Sequence, residues 1–138
     1  LIIGKNQGWK QNTNLSKMTN QNFVQIPYNR FTHILEYLCE EQGIDVVYQE
    51  ESYTSKASFL DNDEIPVYCE LEETPVFSGE RIYRGLYKTA DGRLINADVN
   101  GSYNIMKKYL ETNAAWDNQK WSDCVEVCST PRVMSVSY

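Results

Sequence analysis

The sequence predicts an α/β fold: a βαβ unit, an irregular acidic stretch, a β-hairpin and a C-terminal helix. Three observations predict it. Phe31, Ile34, Leu35 and Leu38 recur at i, i+3, i+4 and i+7, the spacing of one helix face. Short apolar runs flank that stripe, Leu1-Ile2-Ile3 before it and Ile44-Asp45-Val46-Val47-Tyr48-Gln49 after it. A second helical stripe, Ile105, Met106, Tyr109 and Leu110, follows an Asp91-Gly92 turn signal.

Leu1-Ile2-Ile3 reads as the end of a buried strand. Residues 6–22 are rich in Asn, Gln, Thr and Ser and read as a polar loop. The first helix is expected to start near Pro27, whose missing N–H suits a first turn, and to end at Gly43 as a C-cap. Residues 44–49 then form the second strand, parallel to the first, as βαβ connections require. The first strand ends at about Gly4-Lys5-Asn6 and the second at Glu50-Glu51, so the two tips are expected side by side. Residues 56–80 read as irregular, with Pro66 and Pro75 and two acidic clusters. Arg81 to Ile95 reads as one hairpin turning at Asp91-Gly92, and the last helix starts at about Asp98. The division that follows is 1–110 as one domain, with 56–95 inserted in it, and 111–138 as a tail.

The 138 residues suit one domain, and a composition 41% hydrophobic and 23% charged fits a globular chain. No stretch approaches the roughly 20 apolar residues of a membrane span, and no signal peptide is recognisable, so a cytoplasmic protein is expected. The chain opens on Leu1 rather than Met, which suggests a piece of a longer polypeptide. Net charge is −6, but its distribution matters more: residues 1–30 carry +4, residues 31–80 carry −12 and residues 81–138 carry +2. An acidic middle between basic ends could hold metal beside a phosphate backbone, or be a solvated surface; charge alone leaves that even. Cys39, Cys69, Cys124 and Cys128 contain no C-x-x-C pair and read as reduced thiols.

Two acidic positions stand where strands or loops meet other elements. Asp98 lies where the chain enters the last helix, and its plain structural role is an N-cap. Glu50-Glu51 lies at a strand's carboxyl end, where open α/β sheets place their sites. Phosphodiester hydrolysis supplies a reason for such carboxylates to converge, because Mg²⁺ ions must be held by acids from separate elements. His33, the one histidine, has no second histidine to share a metal and reads as a surface residue. Trp9, Trp116 and Trp121 read as packing residues. Lys5, Lys10, Lys17 and Arg30, and Arg81, Arg84, Lys88 and Arg93, could track phosphates.

Several stretches in order resemble one family. Asp98, Asn100, Gly101, Ser102, Asn104 and Ile105 are similar to the third RuvC motif of TnpB (OrfB) proteins, Asp-x-Asn-small-small-x-Asn-Ile. Glu51-Ser52-Tyr53-Thr54-Ser55-Lys56 resembles the stretch that opens that family's zinc ribbon, and Leu1 to Trp9 resembles the strand of its second RuvC motif. Phe77-Ser78-Gly79 and Arg84-Gly85-Leu86-Tyr87 are similar to stretches of one TnpB branch. The resemblance covers about residues 1–110. It implies a partial RNase H-like (RuvC) domain from a transposon-encoded, RNA-guided, Mg²⁺-dependent DNA endonuclease, with guide RNA and target DNA as partners of the full-length protein. By the same carry-over Asp98 is the third catalytic, metal-holding carboxylate, and Lys5, Lys10, Arg81, Arg84 and Lys88 are the nucleic-acid contacts.

This sequence departs from the family at three places. Gly4 stands where the second motif has Glu, and Glu51, with Glu50 second, is the expected replacement. Ala57-Ser58-Phe59-Leu60 stands where the ribbon's C-x-x-C belongs, so no zinc is expected and Phe59, Leu60, Ile65 and Val67 should hold the loop. The first catalytic Asp would lie upstream of Leu1. This chain alone is therefore expected to be marginally folded and inactive, with a nuclease-dead binding relative or a gene remnant as alternatives.

Overall fold

A computed structural model describes residues 1–5, 28–68 and 74–113. The chain divides into two compact units, Leu1–Glu50 and Glu51–Tyr138. The expected polar loop at 6–22, the expected helix start at Pro27, Trp9, Trp116, Trp121, Lys10, Lys17, Cys69, Cys124 and Cys128 lie outside the described residues.

In the first unit, strands β1 (Ile2–Gly4) and β2 (Val47–Gln49) flank helix α1 (Tyr28–Glu41) in sequence. The strands pair in parallel, Ile2 with Val47, Ile3 with Tyr48 and Gly4 with Gln49. The Lys5 N–H donates to the Gln49 carbonyl at 2.8 Å, so the strand tips adjoin, as the βαβ reading requires. Helix α1 stops at a Schellman cap: Gly43, at φ +67°, donates to the Glu40 carbonyl, and the Ile44 N–H reaches the Cys39 carbonyl at 2.8 Å. Tyr48 donates to Glu36 Oε1 at 2.7 Å, tying β2 to the helix. The stripe found by periodicity is not a buried one. Phe31 is 54% exposed, and Ile34 and Leu38 are also exposed.

The second unit opens with a run of turns over residues 52–62. Three antiparallel strands follow, β3 (Glu80–Tyr83), β4 (Leu86–Lys88) and β5 (Leu94–Asn96), and then helix α2 (Ala97–Thr112). The span read as one hairpin is therefore a three-stranded meander. The missed turn is Arg84-Gly85, which joins β3 to β4 where Tyr83 pairs with Leu86. A two-residue connection without Asn-Gly or Asp-Gly carries little turn signal, whereas Asp91-Gly92 carries a strong one. At that second turn Gly92 adopts φ +88° and closes a three-residue loop, its N–H donating to the Thr89 carbonyl at 3.0 Å.

One face of the meander builds the core. Tyr87 and Ile95 sit opposite each other in the register and are both fully buried, together with Phe59 and Ala97. Leu60, Val99 and Tyr103 pack around them, and the Phe59 and Tyr103 rings stack at 4.9 Å. Each large apolar side chain so buried contributes roughly 1.5–3 kcal/mol. Gly79 lets the chain pass close over this core, since a Cβ there would stand 2.6 Å from the Lys88 carbonyl oxygen and from the Tyr87 ring. The other face is open, as antiparallel sheets permit, with Leu94 exposed. Phe59, Leu60 and Ile65 hold the turn-rich segment as expected, but Val67 does not: it is 41% exposed.

Helix α2 corrects the periodicity reading more sharply. Ile105, Met106, Tyr109 and Leu110 are half-buried. The buried face is Ala97, Asn100, Asn104, Lys107 and Lys108. Its buried amide and ammonium donors find backbone carbonyls of residues 52–66, which is why they tolerate burial. Among the described residues no helix is long and apolar enough to cross a membrane.

Candidate functional site

The N-cap of α2 is Asn96, not Asp98. The Asn96 side-chain oxygen accepts the N–H groups of Asp98 at 2.9 Å and Val99 at 3.1 Å. Asp98 is thereby released from capping. Its side chain is 85% exposed, in the first helical turn, where backbone N–H groups favour a negative charge. Among the described residues its side-chain partner is Arg81, whose Nη2 stands 3.4 Å from Asp98 Oδ1 and donates to the Arg84 carbonyl at 2.7 Å. The Ala97 N–H donates to the Gly85 carbonyl at 3.1 Å. The Arg84-Gly85 turn, the end of β5 and the start of α2 thus meet at one edge of the unit. An open groove of about 420 Å³ runs along the helix there, lined by Asp98, Val99, Ser102, Tyr103 and Met106.

Behind Asp98, the two asparagines of the same motif face inward. Both are fully buried. Asn100 accepts the Phe59 N–H at 3.0 Å and donates to the Ala57 carbonyl at 2.8 Å. Asn104, one turn on, donates to the Thr54 carbonyl at 2.9 Å and to the same Ala57 carbonyl at 2.8 Å. Among the described residues its Oδ1 is buried without a partner. Lys107 donates to the Asp63 carbonyl at 2.6 Å, and Lys108 to the carbonyls of Ser52 at 3.3 Å and Pro66 at 3.2 Å. Burial pushes the Lys107 ammonium below the usual lysine range, against the opposing pull of Glu111. Asp61 and Asp63 complete the fastening: Asp61 accepts the Ala90 N–H at 2.9 Å, and Asp63 accepts the N–H groups of Ser58 at 2.7 Å and Ser78 at 3.1 Å.

Glu51 begins this fastened segment. Its carbonyl accepts the Thr54 N–H at 3.3 Å and the Thr54 hydroxyl at 2.8 Å. Tyr53 holds a left-handed backbone, φ +64°, a conformation that costs a non-glycine residue roughly 1–2 kcal/mol and persists only where neighbours over-determine it. Glu50 belongs to the first unit, directly after Gln49, beside Lys5 at the tip of the parallel pair. Glu51 and Asp98 belong to the second.

Of the expected nucleic-acid contacts, Lys5 belongs to the first unit and Arg81, Arg84 and Lys88 to the second. Lys5 lies over the Tyr48 ring, 4.7 Å from its centre. Arg81 and Arg84 gather at the Asp98 edge. Lys88 lies across from Glu80 and next to Tyr87, so its side chain takes the opposite sheet face from Tyr87. His33 is exposed and bonded to Glu36 at 3.0 Å, a surface role.

The acids fit a magnesium ion in kind, since it takes carboxylate oxygens, and an exposed Asp98 could turn toward one. One or two carboxylates beside water and phosphate oxygens are enough for that ion, so Asp98 would need at most one further acid. Among the described residues no group of three or more His, Cys, Asp and Glu side chains is placed to hold a metal.

Sequence reading missed Asn100, Asn104, Lys107 and Lys108 as loop anchors and Asp61 and Asp63 as turn anchors. The available signal was the i, i+4 pairing of Asn100 with Asn104 and of Asn104 with Lys108, which marks one polar helix face. A family model described as "Cas12f1-like, TNB domain" matches residues 28–105, more than half of the chain. No curated protein and no solved structure matches.

Proposed function

The chain belongs to the Cas12f1-like TNB domain family, and from that premise we propose that it is part of a transposon-encoded, RNA-guided, Mg²⁺-dependent DNA endonuclease acting in the cytoplasm. The family makes it a relative of TnpB/Cas12-type RNA-guided nucleases. In this reading guide RNA and target DNA are the partners of the full-length protein. Asp98 supplies one metal-holding carboxylate, and Glu51 supplies a second. Bound magnesium would stabilise the attacking and leaving oxygens of the phosphodiester. Arg81 and Arg84 would meet the strand beside Asp98, Arg81 exchanging its carboxylate partner for a phosphate. Lys5, Lys10 and Lys88 are further contacts along the duplex.

The observation that carries the reading is the liberation of Asp98. Aspartate is a common helix cap, but here Asn96 does that work and leaves the Asp98 carboxylate in solvent beside Arg81. The asparagines of the same motif grip the segment that starts at Glu51, so both acids sit on one fastened frame. The test is target cleavage by the full-length protein carrying Asp98→Ala or Glu51→Ala. Loss of cutting by two orders of magnitude or more is expected for each, and undiminished cutting in both removes the assignment.

A second reading, a nuclease-dead relative that binds guide and target, draws on Gly4 and on the incomplete acid set among the described residues. It predicts binding without cutting in the unmutated full-length protein. We also propose that the turn-rich segment is fastened without zinc, by the amide, ammonium and carboxylate anchors described above.

A further inference from the structure

We propose that Asn104 and Lys108 are positioning residues for Glu51, fixing the backbone that carries it to the helix that carries Asp98. This rests on the reading of Glu51 and Asp98 as metal-holding acids and adds what sets their geometry.

Glu51 is followed by a backbone bend, not by a regular element. The bend turns at Tyr53, φ +64°, which a tyrosine does not adopt spontaneously. Two helix side chains hold it. The Asn104 carboxamide donates to the Thr54 carbonyl at 2.9 Å, and Thr54 returns two bonds to the Glu51 carbonyl, from its N–H at 3.3 Å and its hydroxyl at 2.8 Å. The Lys108 ammonium donates to the Ser52 carbonyl at 3.3 Å and, from the same atom, to the Pro66 carbonyl at 3.2 Å. Asn104 and Lys108 are one helical turn apart on one face of α2, and Asp98 stands on the first turn of the same rigid helix. Glu51 is thus bracketed, at the residue after it and at the residue three beyond it, by side chains from the helix that presents Asp98.

A buried lysine is an expensive anchor, because its ammonium loses water. Lys108 is 5% exposed, and its ammonium donates to two backbone carbonyls from one atom. A leucine or methionine would fill that space without the desolvation cost. What it would not do is grip the Ser52 and Pro66 carbonyls together, and this selects the charged group. Asn100 provides the contrast. It grips residues 57 and 59, further along the segment, and its hydrogen bonds go to neither Ser52 nor Thr54. A general loosening of the fold and a specific displacement of Glu51 therefore predict different outcomes.

The experiment uses the full-length protein with its guide. Cutting of a matched target is measured against Mg²⁺ concentration, with each variant assayed well below its own unfolding temperature and with target binding measured without Mg²⁺. Lys108→Met and Asn104→Leu should raise the Mg²⁺ concentration for half-maximal cutting about tenfold, the scale of lost outer-shell support, with target binding unchanged. Asn100→Ala should lower the unfolding temperature and leave the Mg²⁺ requirement within about twofold, since its bonds fall on residues 57 and 59 and not on Ser52 or Thr54. If Lys108→Met and Asn104→Leu both keep the unmutated Mg²⁺ requirement while Glu51→Ala stops cutting, positioning is overturned and Glu51 stands. A rise in Asn100→Ala equal to theirs also overturns it, as general loosening. If Glu51→Ala cuts normally, the assignment of Glu51 itself is what fails.

Discussion

The Ala57 carbonyl is the point on which the turn-rich segment hangs, and a double-mutant cycle on its two donors measures this. The amide groups of Asn100 and Asn104 both donate to it at 2.8 Å, and Ala57 is fully buried. Asn100→Ala removes one of these bonds and the acceptor of the Phe59 N–H, and should cost about 2–4 kcal/mol. Asn104→Ala removes the other and the donor to Thr54, but also removes a buried oxygen that has no partner among the described residues. It should cost about 1 kcal/mol less than Asn100→Ala. Either single variant leaves the Ala57 carbonyl with one donor. The double variant leaves it with none among the described residues, a further penalty of about 1–3 kcal/mol that neither single change carries. Urea unfolding followed by far-UV circular dichroism on the four proteins gives the coupling energy. If the double variant is unfolded in buffer, adding sucrose to all four stabilises every corner of the cycle. Free energies that add to within about 0.5 kcal/mol would refute a shared acceptor and the single frame drawn from it.

Three further outcomes follow from the same unit. Gly79→Ala drives a methyl to 2.6 Å from the Lys88 backbone oxygen, which a flexible side chain could relieve but a strand cannot; a loss of about 1–3 kcal/mol is expected, read as a melting temperature lower by about 5 °C or more, and an unchanged temperature contradicts the close approach. Burial, with Asp63 and Asp61 behind it, pushes the Tyr87 phenol from 10.0 up to about 12. A raised folded value means stability present below pH 10 and lost as pH climbs through about 12, so by pH 11 the protein should lose about 1.4 kcal/mol that Tyr87→Phe does not. Lys107, whose ammonium burial pushes below the usual lysine range, is common to both proteins, so a gap between them that stays constant from pH 9 to pH 11 sinks the claim. The zinc chelator 1,10-phenanthroline should leave the melting temperature within about 1 °C, since losing a structural zinc would cost far more; a clear fall would show that metal, not Asp61, Asp63, Lys107 and Lys108, fastens the turns.

What the sequence made legible was whatever repeats with the period of an element. Helix α1 and its Gly43 cap, the parallel β1–β2 pair and the Asp91-Gly92 turn all follow from local rules that act over a few residues. The face of α2 did not follow, because a hydrophobic rule ranks Ile105 and Leu110 above Asn104 and Lys108. Burial of polar groups is decided by partners, and these partners are backbone carbonyls about 40–60 residues away, which carry no side-chain signature. The Arg84-Gly85 turn was missed for a related reason: a short turn needs no special residue when strands on both sides already fix it.

The same physics bears on how the motif is to be understood. Asp98, Asn100 and Asn104 look in sequence like one catalytic signature, yet they face in different directions. The aspartate is outward and ionic; the asparagines are inward and donate to backbone. An asparagine suits the inward positions because its amide can donate and accept at once, as Asn100 does between Ala57 and Phe59. Aspartate at either position would set a carboxylate against a carbonyl oxygen, and alanine would take one donor away from the shared Ala57 carbonyl. The motif therefore carries two separable demands, an exposed acid and a grip on the segment beginning at Glu51. A cutting enzyme needs both, whereas a chain that only binds needs the second alone. Exchange of Asp98 for Asn should accordingly leave the urea midpoint nearly unchanged while removing cutting, and a large drop in that midpoint would show that the acid is structural after all.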